Sequence, residues 1–176
     1  MSRYLDKLIN DHINDIRAAN PHLVSSTFIL TWNPSKSPGP ADRARAIRQT
    51  AAGHRVRGDW STGNRRNDLG PRDRAFLLRQ GPEPRGIIAS GTFTSEPRSG
   101  EPHDTRVYAN LLWDHFVSDD DLLPLDVVKA KVNGRDWNCL YASGVLLPDP
   151  GAQDLQVLWD AHLSRLTPKP GKQKRA

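Results

Sequence analysis

Trp32 and Trp60 are the residues here best suited to recognition chemistry, and both stand beside short polar side chains and guanidinium groups. Trp32 lies in Thr31-Trp32-Asn33-Pro34, and Trp60 in Asp59-Trp60-Ser61-Thr62-Gly63-Asn64, with Arg65 and Arg66 directly behind it. An indole face stacks on a flat base, short hydroxyl, amide and carboxylate groups read its edge, and guanidinium groups hold phosphate. Trp60 with Asp59, Ser61, Thr62 and Asn64 is therefore a candidate base pocket, with Arg65 and Arg66 on the backbone. The same residues also describe a core tryptophan beside a solvated loop. Further along, Trp137, Tyr141 and Ser143 add two aromatics and a hydroxyl at a strand entry, candidates for the same pocket.

The charge is placed rather than spread. Of a net +5 over 176 residues, the stretch from Lys36 to Arg66 carries eight basic residues against Asp42 and Asp59. The stretch from Glu101 to Asp160 carries eleven acids against four bases, and the end from Arg165 onward adds five bases without an acid. A basic arm of this kind suits a polyanion, because neutralising phosphates releases condensed counterions. Its cations, Lys36, Arg43, Arg45, Arg48, Arg55, Arg57, Arg65 and Arg66, are candidate backbone contacts. A solubilising basic surface is the plainer alternative.

Catalytic and metal chemistry find little support. The six histidines are scattered, none pairing with a cysteine or acid at ligand spacing, and Ser61 and Ser143 lack a nucleophile-elbow pattern. Asp119, Asp120 and Asp121 form a carboxylate row, but they precede Leu122-Leu123-Pro124 as the acidic lead-in to a helix. An enzyme using Asp59 or these aspartates with a metal is the least supported class. The single cysteine, Cys139, excludes an intrachain disulfide and a cysteine-rich zinc site, and its apolar neighbour Leu140 suggests a small core residue. No apolar run spans a bilayer and no signal-peptide pattern opens the chain, so a cytoplasmic protein is expected.

The elements that must position these groups follow from periodicity. Leu5, Leu8, Ile9, Ile13 and Ile16 recur at helical spacing from Ser2 to Asn20, with His12 on the edge of the stripe. Strands are expected at Leu23 to Trp32, Ala75 to Gln80, Gly86 to Thr94, Val107 to Val117 and Val145 to Leu147. Helices are expected at Ala41 to Ala52, Pro124 to Val132 and after Asp149-Pro150, where Leu155, Leu158, Trp159, Leu163 and Leu166 form a stripe. Trp113 and Trp159 fall on apolar faces and are core. The domain layout is an N-terminal helix over residues 1–20, one α+β domain over 21–166 and a basic tail over 167–176.

Several blocks carry a family resemblance: Phe28 to Pro34 (FILTWNP), Asp73 to Pro97, Leu122 to Val128 (LLPLDVV) and the tryptophan-bounded stretch from Trp137 to Trp159. In this order they resemble the EVE-type domain of the PUA-like superfamily, related to YTH and SRA domains. They are particularly similar to the module that reads modified DNA at the N-terminus of HNH endonucleases. The resemblance implies a small, bent β-barrel with flanking helices that flips one modified base, 5-methylcytosine foremost, into an aromatic cage. Trp32 and Trp60 would be its walls, with Trp137 or Tyr141 a third, and Asp59, Ser61, Thr62, Asn64 and Ser143 its edge readers. No cofactor is implied, and the H-N-H constellation is missing, so cleavage would fall to a separate nuclease. The partner is double-stranded DNA carrying the modified base, or RNA, as with PUA and YTH relatives.

Overall fold

A computed structural model describes His12 and residues 25–167. The expected amphipathic helix over residues 1–20 lies outside the described residues, His12 apart, as does nearly all of the basic tail.

The order of elements is β1 (Thr27–Trp32), α1 (Arg43–Ala51), β2 (Val56–Ser61), β3 (Arg74–Arg79), β4 (Gly86–Phe93), β5 (Arg98–Ser99) and β6 (Val107–Phe116). A short 3-10 turn (Asp119–Asp121), β7 (Leu123–Pro124), α2 (Leu125–Lys131), β8 (Val145–Leu147) and α3 (Gly151–Leu166) complete it. All eight strands belong to one mixed sheet whose main path runs β2-β6-β4-β3-β1-β8, so the chain is α+β as expected. Among the described residues only the β1–β3 pairing is parallel. That pair lies inside the path, with β4 and β8 on either side, and its strands read as apolar runs because both faces are covered. Phe28, Ile29, Leu30, Phe76, Leu77 and Leu78 are wholly buried.

One helix closes each flank. The stripe of α3 seats Leu155 and Trp159 on the sheet, where the Trp159 indole N–H donates to Ser90 Oγ at 2.9 Å. Its ring meets that of Phe76 edge-on, with centroids 6.5 Å apart. On the other flank α1 lies on β6. Thr50 ties them, its hydroxyl accepting the Phe116 N–H at 3.0 Å and donating to Ala46 O at 2.9 Å. Beneath α1 the Trp113 indole lies flat against β2 at Gly58, where any Cβ would overlap the ring nitrogen.

Irregularities at Leu77/Leu78 and Ser90/Gly91 break the ladder register. Such bulges bend a strand and increase its twist, and the two outermost strands are drawn toward each other. The sheet is nevertheless open, for no backbone ladder joins β2 to β8 among the described residues. Side chains make the junction instead. The Trp60 indole N–H donates to Thr31 O at 3.2 Å, and the Ser143 hydroxyl donates to Ser61 O at 2.6 Å while accepting from Thr31 N.

Candidate functional site

The seam between β2 and β1 creates the site. At the end of β2 the chain turns sharply and is pinned. Thr62 is fully buried, its N–H donating to Val107 O at 2.9 Å and its hydroxyl to Arg65 O at 3.1 Å. Val107 N returns a bond to Gly63 O at 3.0 Å, and Ser61 Oγ accepts from Gly63 N at 3.1 Å. Across the seam, Gly144 N donates to Ile29 O at 3.0 Å. Gly63, at a φ of +65°, faces the Ser143 carbonyl so closely that a Cβ would come within 2.6 Å of its oxygen. Two tight loops, one after β2 and one before β8, are therefore locked face to face.

Between them opens a cavity of about 560 Å³ whose lining includes Asn64, Arg65, Arg66, Asn67, Arg135 and Ser143. Arg65 is half-buried; its Nε donates to Gly144 O at 2.6 Å, and its guanidinium lies 5.1 Å from the Phe28 ring centroid. Arg135 Nε donates to Leu146 O at 2.6 Å. Burial lowers the Arg65 pKa; the charge of Asp68 opposes that shift and the charge of Arg135 adds to it. Arginine stays charged regardless. Arg65 thus feels the attraction of Asp68 more than the repulsion of Arg135, both acting across a solvent-open cleft. None of Arg65, Arg66 and Arg135 enters an ion pair within 4.0 Å among the described residues. The arrangement presents convergent cationic donors and two amides to an anion with a flat polar substituent.

The structure gathers Trp60, Ser61, Thr62, Asn64 and Ser143 at this seam, as the sequence suggested, but gives several of them supporting work. Trp60 is half-buried with its ring nitrogen spent on Thr31, and Thr62 is sealed inside the turn. Trp32 does not face Trp60 across a slot. It is 7% exposed, its indole N–H donates to Ser37 O at 3.2 Å, and the guanidiniums of Arg43 and Arg79 lie 5.3 and 5.8 Å from its ring centroid. Trp137 is core, donating to Val132 O at 2.9 Å. Asp59 alternates to the other face of β2 from Trp60 and is ion-paired with Arg98. Tyr141 is solvent-exposed and lines an adjoining cavity. Cys139, expected as a core residue, is exposed. The loop holding it turns Leu140 inward instead.

The basic arm divides. Lys36, Arg45, Arg48, Arg55 and Arg57 are exposed. Arg43 is not free: its Nη2 donates to Asp119 at 2.6 Å and to Val117 O at 3.2 Å. Arg57 precedes Ser61 by four strand residues, about 13 Å of extended chain, so that end of the arm lies away from the cleft. Residues absent from the sequence expectations complete the site. Arg135, Asn67 and Asp68 offer no local pattern, and Arg135 sits inside the acidic segment. Only the antiparallel pairing of β8 with β1 brings it opposite Arg65.

No family model matches the chain, and no curated protein does. Among solved structures, a hypothetical protein of Leishmania major aligns at a TM-score of 0.50 with 10% identity, over 82% of this chain and 98% of that one. Protein PSPTO5229 of Pseudomonas syringae aligns at a TM-score of 0.48 with 11% identity, over 78% of this chain and 99% of that one. At such identity the first likeness is one of fold.

Proposed function

We propose that this protein is a nucleic-acid-binding module that seats one modified nucleotide of double-stranded DNA, 5-methylcytosine foremost, in the cleft between the two seam loops. The observation that carries this reading is the pair of guanidiniums, Arg65 and Arg135, lining one open cavity without an ion pair within 4.0 Å among the described residues, although Asp68 lines the same cavity. A phosphate between them replaces repulsion by two charge-assisted bonds. Asn64 and Asn67 each offer both donor and acceptor to a base edge. Extruding a base costs a few kcal/mol, which contacts of this kind together with counterion release can offset. The bent sheet with drawn-in edges is in keeping with the EVE-type, PUA-like resemblance. In this proposal Trp60 and Ser143 hold the seam, while Trp32 belongs to the core.

A second reading, an RNA-binding module, is favoured by the openness of the cleft, since unpaired bases enter it without flipping. Fluorescence anisotropy on matched duplexes carrying cytosine, 5-methylcytosine, 5-hydroxymethylcytosine or 6-methyladenine, with structured RNA as competitor, tests both. A preference of about tenfold for one modified duplex is expected. Equal affinity for all four removes the modified-base claim, and absence of binding at low salt removes the nucleic-acid claim.

A further inference from the structure

Tyr141 is 85% exposed, the most exposed of the large apolar side chains among the described residues, in a molecule that buries Trp113, Trp137 and Trp159 to 5% or less. A single exposed apolar side chain is ordinary by itself; what sets Tyr141 apart is that it borders a cavity next to the cationic cleft. Its loop is anchored on both sides of it. Leu140 is buried and its carbonyl accepts from the Gln80 amide; Ser143 and Gly144 are fixed at the seam. The ring is held out into solvent by a pinned backbone.

Beside it lies a second cavity of about 450 Å³, lined by Arg135, Asp136, Leu140, Tyr141 and Ala142 among others. It shares Arg135, Ala142 and Val145 with the cationic cleft, so the two form one trough with Arg135 at the divide. One half is polar and cationic, the other carries a free aromatic face. That alternation of guanidinium and aromatic surface is the pattern by which proteins track an unpaired strand.

We infer that the trough takes two consecutive nucleotides, with Tyr141 stacking the base next to the one seated in the cleft and Arg135 holding the phosphate that joins them. Tyr141 is then a platform for the neighbouring nucleotide rather than a wall around the recognised base. Specificity extends to any base with an accessible π-face, and the ligand class is a strand that is single or locally opened at two adjacent positions. This inference rests on the nucleic-acid reading above.

The test uses single-stranded 12-mers with one central 5-methylcytosine and 2-aminopurine placed either immediately 5′ or immediately 3′ of it. Wild-type protein is expected to bind both and to change the 2-aminopurine emission on one side only, which assigns the polarity. Tyr141→Ala is expected to abolish that change and to weaken binding roughly 5- to 50-fold, whereas Tyr141→Phe retains both. Tyr141→Leu, which keeps apolar area without a π-face, is expected to follow the alanine variant. The side chain is exposed, so these variants leave the fold intact. If the wild type binds with normal affinity while Tyr141→Ala binds equally well, or emission changes on neither side, the two-nucleotide trough is wrong and the cleft alone remains. If the wild type binds neither oligonucleotide, the two-nucleotide trough is wrong, whereas the reading it rests on falls only if the duplexes of the anisotropy experiment also fail to bind.

Discussion

Two clusters in this protein share the same ingredients, paired guanidiniums near an aromatic ring, and behave oppositely. At Trp32, Arg43 and Arg79 flank the indole, and Asp119 stands 2.6 Å from Arg43 Nη2 and 3.3 Å from Arg79 Nε. The carbonyls of Val117, Pro82 and Pro84 take further protons, although both Nε atoms lack an aligned acceptor. One carboxylate shared by two guanidiniums offsets half of their charge and closes the cluster, which ties α1 and the β3–β4 loop to the end of β1. At the seam, Arg65 and Arg135 donate to main-chain oxygens, Asp68 lines the same cavity without closing an ion pair, and the space between them is open. The contrast shows that arginine beside an aromatic ring is no signature of a binding site. What distinguishes the two is whether a carboxylate has already taken the place a ligand would occupy.

The sharpest way to break this comparison is Trp32→Ala. A core indole predicts a loss of about 3–5 kcal/mol of stability, read as a lower denaturant midpoint. A cage wall instead predicts near-native stability and lost base preference. Asp119→Asn comes next. It strands two guanidiniums, but Asp119 keeps 37% of its side chain exposed, so solvent screening reduces the expected cost to about 1–2 kcal/mol. Binding by the folded fraction should not change. Arg135→Ala inverts that outcome: stability within about 0.5 kcal/mol of wild type, binding weaker by about 1–2 kcal/mol, and a salt slope smaller by about one.

The smallest expected effect concerns a third guanidinium, Arg74, whose partner is Asp114. Burial pushes the Asp114 carboxyl up, but bonds from Arg74, Ser90 and His115 outweigh it and hold the pKa below its ordinary value. A depressed folded pKa contributes stability above the unfolded value near 3.9, and that contribution is lost as pH falls through the folded one. Acid titration of unfolding should therefore show extra loss below about pH 4 in the wild type, which Asp114→Asn reduces.

The strands at Ala75 to Gln80, Gly86 to Thr94 and Val107 to Val117, and the closing helix with Trp159, were legible because periodicity is a local property of burial. β2 was not: Val56–Ser61 has no buried residue, carries charged residues and Gly58, and only pairing with β6 makes it a strand. The same limit explains the tryptophans. Trp113 and Trp159 sit in apolar stripes and declared themselves core, whereas Trp32 and Trp137 neighbour polar residues and become core through folding of the chain around them.

From the residues alone came the α+β class, most element boundaries and the placed positive charge. Tertiary structure alone decided that Trp32 is capped by Arg43 and Arg79, that Cys139 faces solvent, and that Arg135 from an acidic segment stands opposite Arg65. The physical reason is range. Burial periodicity and turn chemistry act over a few residues, but the partners of a guanidinium are groups seventy or more positions apart, a carboxylate for Arg43 at Asp119 and a main-chain carbonyl for Arg65 at Gly144.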